Sequence, residues 1–270
     1  MDLFRKLFKP KRTTIIGMVH LRSLPGTPQC RHTMKEIVNI ACREAAQYRT
    51  ASLDGLIVEN MHDVPYLHTE QVGPEVTAAM AVICSEVKKT FNQGPVGVQI
   101  LAGANRQALA VAKAAGLDFI RAEGYVFSHV ADEGLMNACA GQLLRYRKHI
   151  GAENVLVFTD IKKKHSAHSI TSDVTISETA KAAELFLSDG VIITGTSTGV
   201  AADVEELSDV KSSVEIPVLI GSGVTADNMK SFMQADALII GSHFKKDGNW
   251  KNDIDDNRLS GFMKKMKDFV

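Results

Sequence analysis

Aliphatic runs of strand length recur eight times along the chain and alternate with segments of helical periodicity. In the runs nearly every position is apolar, whereas in the segments between them apolar residues return every three or four positions. The predicted strands are residues 13–21, 54–61, 95–101, 118–125, 154–162, 190–198, 217–223 and 235–241. The predicted helices are residues 34–50, 74–91, 106–116, 135–151, 177–190 and 202–214.

This alternation predicts an α/β fold, a closed (β/α)₈ or TIM barrel. Strands that are apolar almost throughout must be covered on both faces, which requires a parallel sheet surrounded by helices. Eight such units in 270 residues fit one barrel domain. An open doubly wound sheet is the alternative, but no GxGxxG follows the first strand. Gly116, Gly151 and Gly190 are expected to end helices in the left-handed conformation.

Polar residues interrupt the apolar runs just before the following loops, where barrel enzymes carry their reactive groups. Because side chains alternate along a strand, Asp160 and Lys162 are expected to share one orientation, as are Arg121 and Glu123. A carboxylate and an amine in a dry cleft can divide acid and base roles, and Lys162 or Lys164 could instead form a Schiff base. A structural ion pair of Arg121 with Glu123 or Asp160 is the competing interpretation. The catalytic candidates are Glu59, Asp160, Lys164, His165, Arg121 and His20; ligand-binding candidates at the same strand ends are Asn60, Gln99 and Lys162.

Two glycine-rich turns after the seventh and eighth strands predict a phosphate-binding site. Gly221, Ser222 and Gly223 form the first turn, and Gly241 and Ser242 form the second. Glycine lets the backbone approach a ligand closely, and turns after these two strands commonly hold phosphate in barrels. The second turn is expected to begin a short helix, with Lys245 or Lys246 adding positive charge. Residues of the sixth strand that are expected to contribute are Thr194, Gly195, Thr196 and Ser197.

No metal or cofactor is predicted, although a divalent metal stays open as an alternative. His62, Asp63 and His68 lie within a few residues of one another, but a single loop spacing is a weak metal signal. His20, Glu59 and Asp160 are alternative ligands from strand ends.

Charge and cysteine content narrow the partners and the compartment. Lys+Arg and Asp+Glu both number 31, so the zero net charge provides no general attraction for nucleic acid. The four cysteines are far apart and form no CxxC pair, which is typical of reduced thiols in an intracellular protein. No apolar run reaches the length of a membrane span. The cytoplasm is the expected location, the mitochondrion is the alternative, and a homo-oligomer is compatible with the sequence.

The first twelve residues form a basic amphipathic segment ahead of the barrel domain, residues 13–270. Leu3, Phe4, Leu7 and Phe8 can share one helical face, while basic residues surround them. We expect a short helix that packs under the barrel and ends before Pro10. An interfacial membrane anchor or an organelle-targeting segment are the alternatives.

The combination of motifs resembles the BtpA family, which includes photosystem I biogenesis protein BtpA and SgcQ-like proteins. The likeness runs from about Ile15 to Gly248. It is carried by Gly17–Pro28, Asp54–Tyr66, Val72–Met80, residues 143–152, Thr194–Gly199, residues 218–228 and residues 239–248. The resemblance implies a TIM barrel of the phosphate-binding kind.

The resemblance leaves two functions open. One is an intracellular enzyme that acts on a small phosphorylated substrate, a sugar phosphate or a nucleotide-like molecule, as an isomerase, a lyase or aldolase, or a hydrolase. The other is a non-enzymatic factor for the assembly or stability of a protein complex. Against the family pattern, Asp160, Lys164 and His165 are retained, whereas Gln99 and Glu123 replace other residues. These replacements indicate a substrate that differs from that of bacterial relatives.

Overall fold

The computed structural model describes residues 3–269, and eight parallel strands close into a barrel in which each of the eight predicted strands is present. The strands are β1 (Thr14–His20), β2 (Gly55–Glu59), β3 (Val96–Gln99), β4 (Phe119–Ala122), β5 (His129–Ala131), β6 (Gly134–Met136), β7 (Leu156–Ile161), β8 (Ser166–Ala167), β9 (Gly190–Ile193), β10 (Val218–Ile220) and β11 (Ala237–Ile240). The order around the barrel is β1-β2-β3-β4-β7-β9-β10-β11 and back to β1.

Helices cover the outside of the barrel, and two of them start with a capping box. They are α1 (Leu3–Phe8), α2 (Met34–Thr50), α3 (Pro74–Phe91), α4 (Asn105–Ala115), α5 (Ala140–His149), α6 (Ile176–Leu185), α7 (Val204–Ser213) and α8 (Asp256–Met266). Thr33 and Glu36 form a capping box at the start of α2, and Thr175 and Glu178 form the same arrangement at α6. The bounds predicted for α2 and α3 match the structure.

The glycine prediction for helix ends is correct at two positions and wrong at the third. Gly116 and Gly151 have φ of +66° and +64°. Gly190 instead begins β9, and Leu187 takes the left-handed conformation after α6, with φ +64°. A Cβ at Gly190 would lie 2.9 Å from Phe158, so close packing between strands requires glycine there.

One predicted helical segment, residues 135–151, is divided in the structure. Residues 135–151 do not form one helix, because Gly134–Met136 is a strand and α5 begins only at Ala140. This strand, β5 and β8 form a small antiparallel sheet beside the barrel mouth. After β10, the chain makes only a 3₁₀ turn at Met229–Phe232, preceded by Thr225, whose hydroxyl accepts from the N–H groups of Asp227 and Asn228.

The basic N-terminal segment closes the lower end of the barrel, as predicted. In α1, Phe4 is buried and lies 4.7 Å from the ring of Phe8 and 6.0 Å from that of Phe158. Phe8 also contacts Phe119, with ring centroids 5.7 Å apart. The aromatic residues of α1 therefore belong to the same inner core as the strands.

Candidate functional site

The alternation of side chains along the barrel strands places a polar residue after the inward-facing core positions of six strands. On β1, Ile16 and Met18 belong to the inner core and His20 follows on the same face; on β2, Glu59 follows Ile57. His20, Glu59 and Gln99 pair across β1, β2 and β3. The inward-facing positions at the carboxyl ends of the eight strands are occupied by His20, Glu59, Gln99, Arg121, Asp160, Thr194, Gly221 and Gly241.

Glycine occupies this position on β10 and β11, which lets the charged and polar side chains of the mouth pack against the backbone. A Cβ at Gly221 would lie 3.0 Å from Nη2 of Arg121, and a Cβ at Gly241 would lie 2.9 Å from Cε1 of His20. The two predicted phosphate turns therefore begin where the backbone lies directly beside Arg121 and His20.

One cavity of about 110 Å³ joins both turns to the ionisable residues of the mouth. Its volume has room for several waters or a small ligand group. The lining residues that concern the site are His20, Glu59, Met61, Arg121, Lys164, Thr198, Gly199, Gly221, Ser222, Gly223, Val224, Gly241, Ser242, His243 and Arg258. The structure thus brings the predicted phosphate turns and four of the predicted catalytic residues together.

Backbone donors face no internal partner in the turns. Among residues 3–269, no hydrogen bond to another residue uses the N–H of Gly223, Val224 or Ser242. The hydroxyl of Ser222, in contrast, accepts from the N–H of Gly195 at 2.7 Å and donates to the carbonyl of Val200 at 2.9 Å. Ser222 therefore holds the loop in shape, and its backbone neighbours are the available donors.

The positive charge beside the turns comes from Arg258 on α8. Arg258 Nε donates to the carbonyl of His243 at 2.7 Å, and both residues line the cavity. We expected Lys245 or Lys246 to supply this charge, but neither lines the cavity. The ammonium of Lys245 is buried against Glu44 at 2.6 Å, where it ties the segment after β11 to α2.

Arg121 is fixed by a two-point contact with Asp160. Its Nε and Nη2 donate to the two carboxylate oxygens at 3.0 and 2.9 Å, and both side chains are buried. Burial alone would lower the pKa of Arg121, but Asp160 raises it overall, so the guanidinium stays charged. Since both oxygens of Asp160 serve Arg121, Asp160 positions this cation at the cavity wall.

Glu59 and His20 form a buried pair, and each is shifted toward its neutral form. His20 Nε2 lies 3.5 Å from Oε2 of Glu59, and His20 Nδ1 lies 3.4 Å from the carbonyl of Trp250. Burial raises the pKa of Glu59, opposed by Lys164 and Arg121. Burial, followed by the charge of Lys245, lowers the pKa of His20 well below its ordinary value. A protonated Glu59 can therefore donate to a neutral imidazole or to a ligand.

The three successive lysines point to three different places. Lys162 adopts φ +43° after β7 has ended, and its Nζ lies 3.3 Å from the carbonyl of Thr171. The expectation that Lys162 shares the orientation of Asp160 is therefore wrong, because strand alternation stops at Ile161. Lys163 Nζ lies 3.4 Å from Oε1 of Glu123. Only Lys164 lines the cavity.

Lys164 lines the cavity, and a hydrogen bond from its N–H fixes its backbone. Its N–H donates to the hydroxyl of Thr194 at 2.9 Å, which gives Thr194 a positioning role. Removal from bulk water and the charge of Arg121 lower the pKa of Lys164, whereas Glu59 and Asp160 partly restore it. Within the described chain, no hydrogen bond or ion pair engages its Nζ.

A second buried network lies beside the cavity and supports Glu123. Gln99 Nε2 donates to Oε1 of Glu123 at 3.3 Å, and the N–H of Gly103 donates to Oε2 at 3.0 Å. Burial alone would raise the pKa of Glu123, but Lys163 and Arg121 lower it overall. Arg121 and Glu123 thus use different partners.

Other predicted site residues maintain the loops around the mouth. Asn60 accepts from the N–H of Leu101 at 2.8 Å and donates to Asp63. The His165 ring contacts the hydroxyl of Thr198 at 3.0 Å and accepts from its N–H at 3.1 Å, so it links two loops. Thr196 and Ser197 accept through their carbonyls, from His165 and Val200.

The residues considered for a metal have other partners. His62 Nδ1 lies 2.7 Å from the carbonyl of Leu21, Asp63 accepts from the N–H of Leu24, and His68 Nε2 lies 3.2 Å from the carbonyl of Leu135. Across residues 3–269, no group of three or more His, Cys, Asp or Glu side chains is arranged to hold a metal ion.

The family model described as the BtpA family matches residues 11–268. This chain belongs to the BtpA family. An uncharacterised protein of Caenorhabditis elegans, named as mitochondrial, is 51% identical over 96% of this chain and 95% of its own. Photosystem I biogenesis protein BtpA of Synechocystis is 32% identical over 98% of this chain and 91% of its own. The BtpA-type likeness read from the motifs is thereby confirmed.

Solved structures with similar folds are TIM-barrel enzymes. Phosphoribosyl anthranilate isomerase of Thermus thermophilus superposes with a TM-score of 0.59 at 10% identity, over 95% of this chain and all of that one. Orotidine 5′-monophosphate decarboxylase of Methanocaldococcus jannaschii gives 0.59 at 13% identity, over 94% and 98%. These likenesses confirm the fold of this BtpA-family chain. In the described part of the chain, no helix is long and apolar enough to cross a membrane.

Sequence reasoning missed Arg258, which supplies the positive charge beside the turns. Its helix α8 lies beyond the eighth predicted strand and was not among the predicted helices, so no strand-end rule could find it. A signal was nevertheless present, because Asp255 is followed by a periodic apolar pattern and caps α8 through its carboxylate.

Proposed function

We propose that this BtpA-family chain is an enzyme that binds a small phosphorylated molecule, a sugar phosphate or a nucleotide-like compound, and moves protons on it. The observation that carries the proposal is the shared cavity. Glycine-rich turns with available N–H donors line it together with Glu59, Lys164 and Arg121. A ligand anchored at the turns would extend its reacting part toward these three side chains.

The phosphate would lie at the turns after β10 and β11. Backbone N–H groups of Gly223, Val224 and Ser242 would donate to its oxygens, and Arg258 would supply a compensating positive charge. Since the chain has no net charge, attraction for an anion has to be local. This arrangement meets that requirement.

The acid and the base would be Glu59 and Lys164. The raised pKa keeps the Glu59 carboxyl protonated to a higher pH than that of an exposed glutamate, and the lowered pKa frees the Lys164 amine at a lower pH than that of an exposed lysine, so one can donate and the other accept a proton. Arg121, held by Asp160, would stabilise negative charge that develops on a substrate oxygen. His20 would act as a neutral hydrogen-bonding partner of Glu59.

Ligand-induced thermal stabilisation tests the proposal. A panel of sugar phosphates, nucleotides and inorganic phosphate should include a compound that raises the melting temperature, because binding to the native state alone stabilises it. Arg258→Gln should remove most of that shift. Lys264→Gln, which removes one positive charge from an exposed position of the same helix, should keep it. A panel in which no compound shifts the wild type, or in which both variants respond equally, would contradict the proposal.

A scaffold function is the second candidate, because a relative covering nearly the whole chain is named a photosystem I biogenesis protein. In this chain, Leu185, Phe186 and Leu187 are exposed apolar residues at the end of α6. A scaffold would survive Glu59→Gln with its cellular role intact and lose it when Leu185 and Leu187 become serine. An enzyme would show the reverse pattern.

We propose a mitochondrial location as an alternative to the expected cytoplasmic one. The support is the name of the C. elegans relative and the basic amphipathic character of the first twelve residues. Imaging of the chain with a C-terminal fluorescent tag separates the two locations.

A further inference from the structure

The amine of Lys164 has a setting that differs from that of every neighbouring lysine. Lys162 contacts the carbonyl of Thr171, Lys163 pairs with Glu123, and Lys245 pairs with Glu44. Lys164 alone of these four lines the cavity, and no described residue forms a hydrogen bond or ion pair with its Nζ. Lys164 is half-buried. An ammonium that is partly removed from water and has no partner requires an explanation, since its desolvation is uncompensated.

We infer that Lys164 is a nucleophile that forms a Schiff base with a phosphorylated aldehyde or ketone. The inference deepens the proposed function, on which it rests, by naming the substrate class and a covalent intermediate. Three observations carry it: Lys164 lines the cavity and its amine has no partner among the described residues, both glycine-rich turns line the same cavity, and Glu59 lines it as well.

The surroundings of Lys164 favour the reactive, unprotonated amine. Arg121 is a permanent cation in the same cavity, held in place by Asp160. Removal from water and the charge of Arg121 both lower the pKa of Lys164, so that the free amine is more populated near neutral pH than it is for an exposed lysine. The Thr194 hydroxyl bonded to the Lys164 N–H fixes the backbone from which the side chain extends.

The covalent step can be balanced with the residues present. The lone pair of Nζ attacks the carbonyl carbon while the carbonyl oxygen takes a proton from Glu59. Nζ then returns one of its protons to the Glu59 carboxylate, which gives a neutral carbinolamine. Glu59 protonates the hydroxyl group, water leaves, and the lone pair of Nζ forms the C=N bond. Carbonyl, amine and protonated Glu59 have become a protonated imine, one water and a Glu59 carboxylate.

The two lysines that precede Lys164 in the sequence serve as controls within the same chain. Lys162 and Lys163 are adjacent in sequence and have the same intrinsic chemistry, but neither lines the cavity. Any labelling that reflects general lysine reactivity would reach the exposed lysines at least as fast as Lys164. Labelling that is confined to Lys164 reports the site.

Borohydride trapping tests the inference. The full chain is incubated with glycolaldehyde phosphate, dihydroxyacetone phosphate or ribose 5-phosphate, reduced with borohydride, and analysed by intact mass and peptide mapping. We expect one adduct per chain with at least one probe, with the mass of the probe less one oxygen atom, located on Lys164. The adduct should persist in Lys162→Arg, disappear in Lys164→Arg, and be suppressed by excess inorganic phosphate.

The opposite results are equally clear. No adduct with any of the three probes, or adducts distributed over several lysines, would overturn the inference. If Lys164→Arg does not fold, peptide mapping and phosphate competition on the wild type decide alone. Dihydroxyacetone without its phosphate should label much more weakly, and equal labelling would overturn the assignment of a phosphorylated substrate. A protein that gains thermal stability from phosphates but gives no adduct would keep the proposed function and lose the Schiff base.

Discussion

At the scale of single residues, the site is defined by ionisable groups that burial moves toward neutrality. Glu59 lies on β2, His20 on β1 and Lys164 after β7, and each is shifted away from its charged form. Arg121 is the exception, because a two-point contact with Asp160 compensates its burial. The cavity therefore combines the fixed charges of Arg121 and Arg258 with groups that can exchange protons.

The raised pKa of Glu59 predicts a stability gain for Glu59→Gln that grows with pH. The native state binds the Glu59 proton more tightly than the unfolded chain does, so wild-type stability falls as pH rises from 4.5 through the raised native pKa. Glutamine has no proton to lose. Thermal unfolding from about pH 5 to about pH 8 should show the melting temperature of the variant rising relative to wild type.

The control for Glu59→Gln is the same substitution at the exposed Glu215. It should give a difference from wild type that does not change over the same pH range. A Glu59→Gln difference that shrinks as pH rises would show that the carboxylate, and not the acid, is the favoured native form.

The contact between Arg121 and Asp160 predicts a large coupling energy. Arg121→Met and Asp160→Asn each leave a buried group without its partner, and each should cost about 3–5 kcal/mol of unfolding free energy. The double variant leaves no unpaired charge, so its loss should be well below the sum. Urea unfolding of the four proteins gives the cycle, and additive losses would contradict this account. Lys148→Met, at the exposed pair with Glu153, should change the midpoint little.

At the scale of elements, the helix α1 is part of the barrel core. Phe4 is 3% exposed and contacts Phe8 and Phe158, whereas Leu3 on the same helix is 45% exposed. Phe4→Ala should cost about 3–5 kcal/mol because it leaves a cavity in the aromatic cluster, whereas Leu3→Ala should have little effect. Denaturant unfolding measures both. Equally small losses of unfolding free energy in the two variants would show that α1 does not contribute to the fold.

Most of the fold could be predicted from sequence because strand and helix periods were clear. The eight barrel strands and the bounds of α2 and α3 follow from apolar patterning. The small sheet could not, since Gly134–Met136 precedes α5 in one apolar segment, and its partner β5 pairs in turn with the distant Ser166–Ala167.

The site could be predicted only in part, because strand ends are visible in sequence but side-chain partners are not. The rule of inward alternation identified Glu59, Arg121 and Asp160 at the barrel mouth. It could not show that Asp160 uses both oxygens on Arg121. The rule also failed at Lys162. This residue follows the end of the strand and adopts a left-handed conformation, so the three successive lysines point to different places.

At the scale of the whole molecule, closure of the barrel brings together groups that are far apart in the sequence. Because β11 pairs with β1, the turn at Gly241 comes to lie beside His20, and α8 brings Arg258 to the same cavity. At the barrel mouth, β2, β4 and β7 carry the ionisable residues Glu59, Arg121 and Asp160, whereas β10 and β11 are followed by the glycine-rich turns. This asymmetry would orient a ligand with one anionic end.

A crystal structure of the full chain soaked with inorganic phosphate tests the central claim most directly. We expect one anion in the cavity, bonded to the N–H groups of Gly223, Val224 or Ser242 and close to Arg258, with Lys164 and Glu59 lining the same cavity. A cavity that stays free of phosphate at saturating concentration, or an anion bound only elsewhere, would contradict the account.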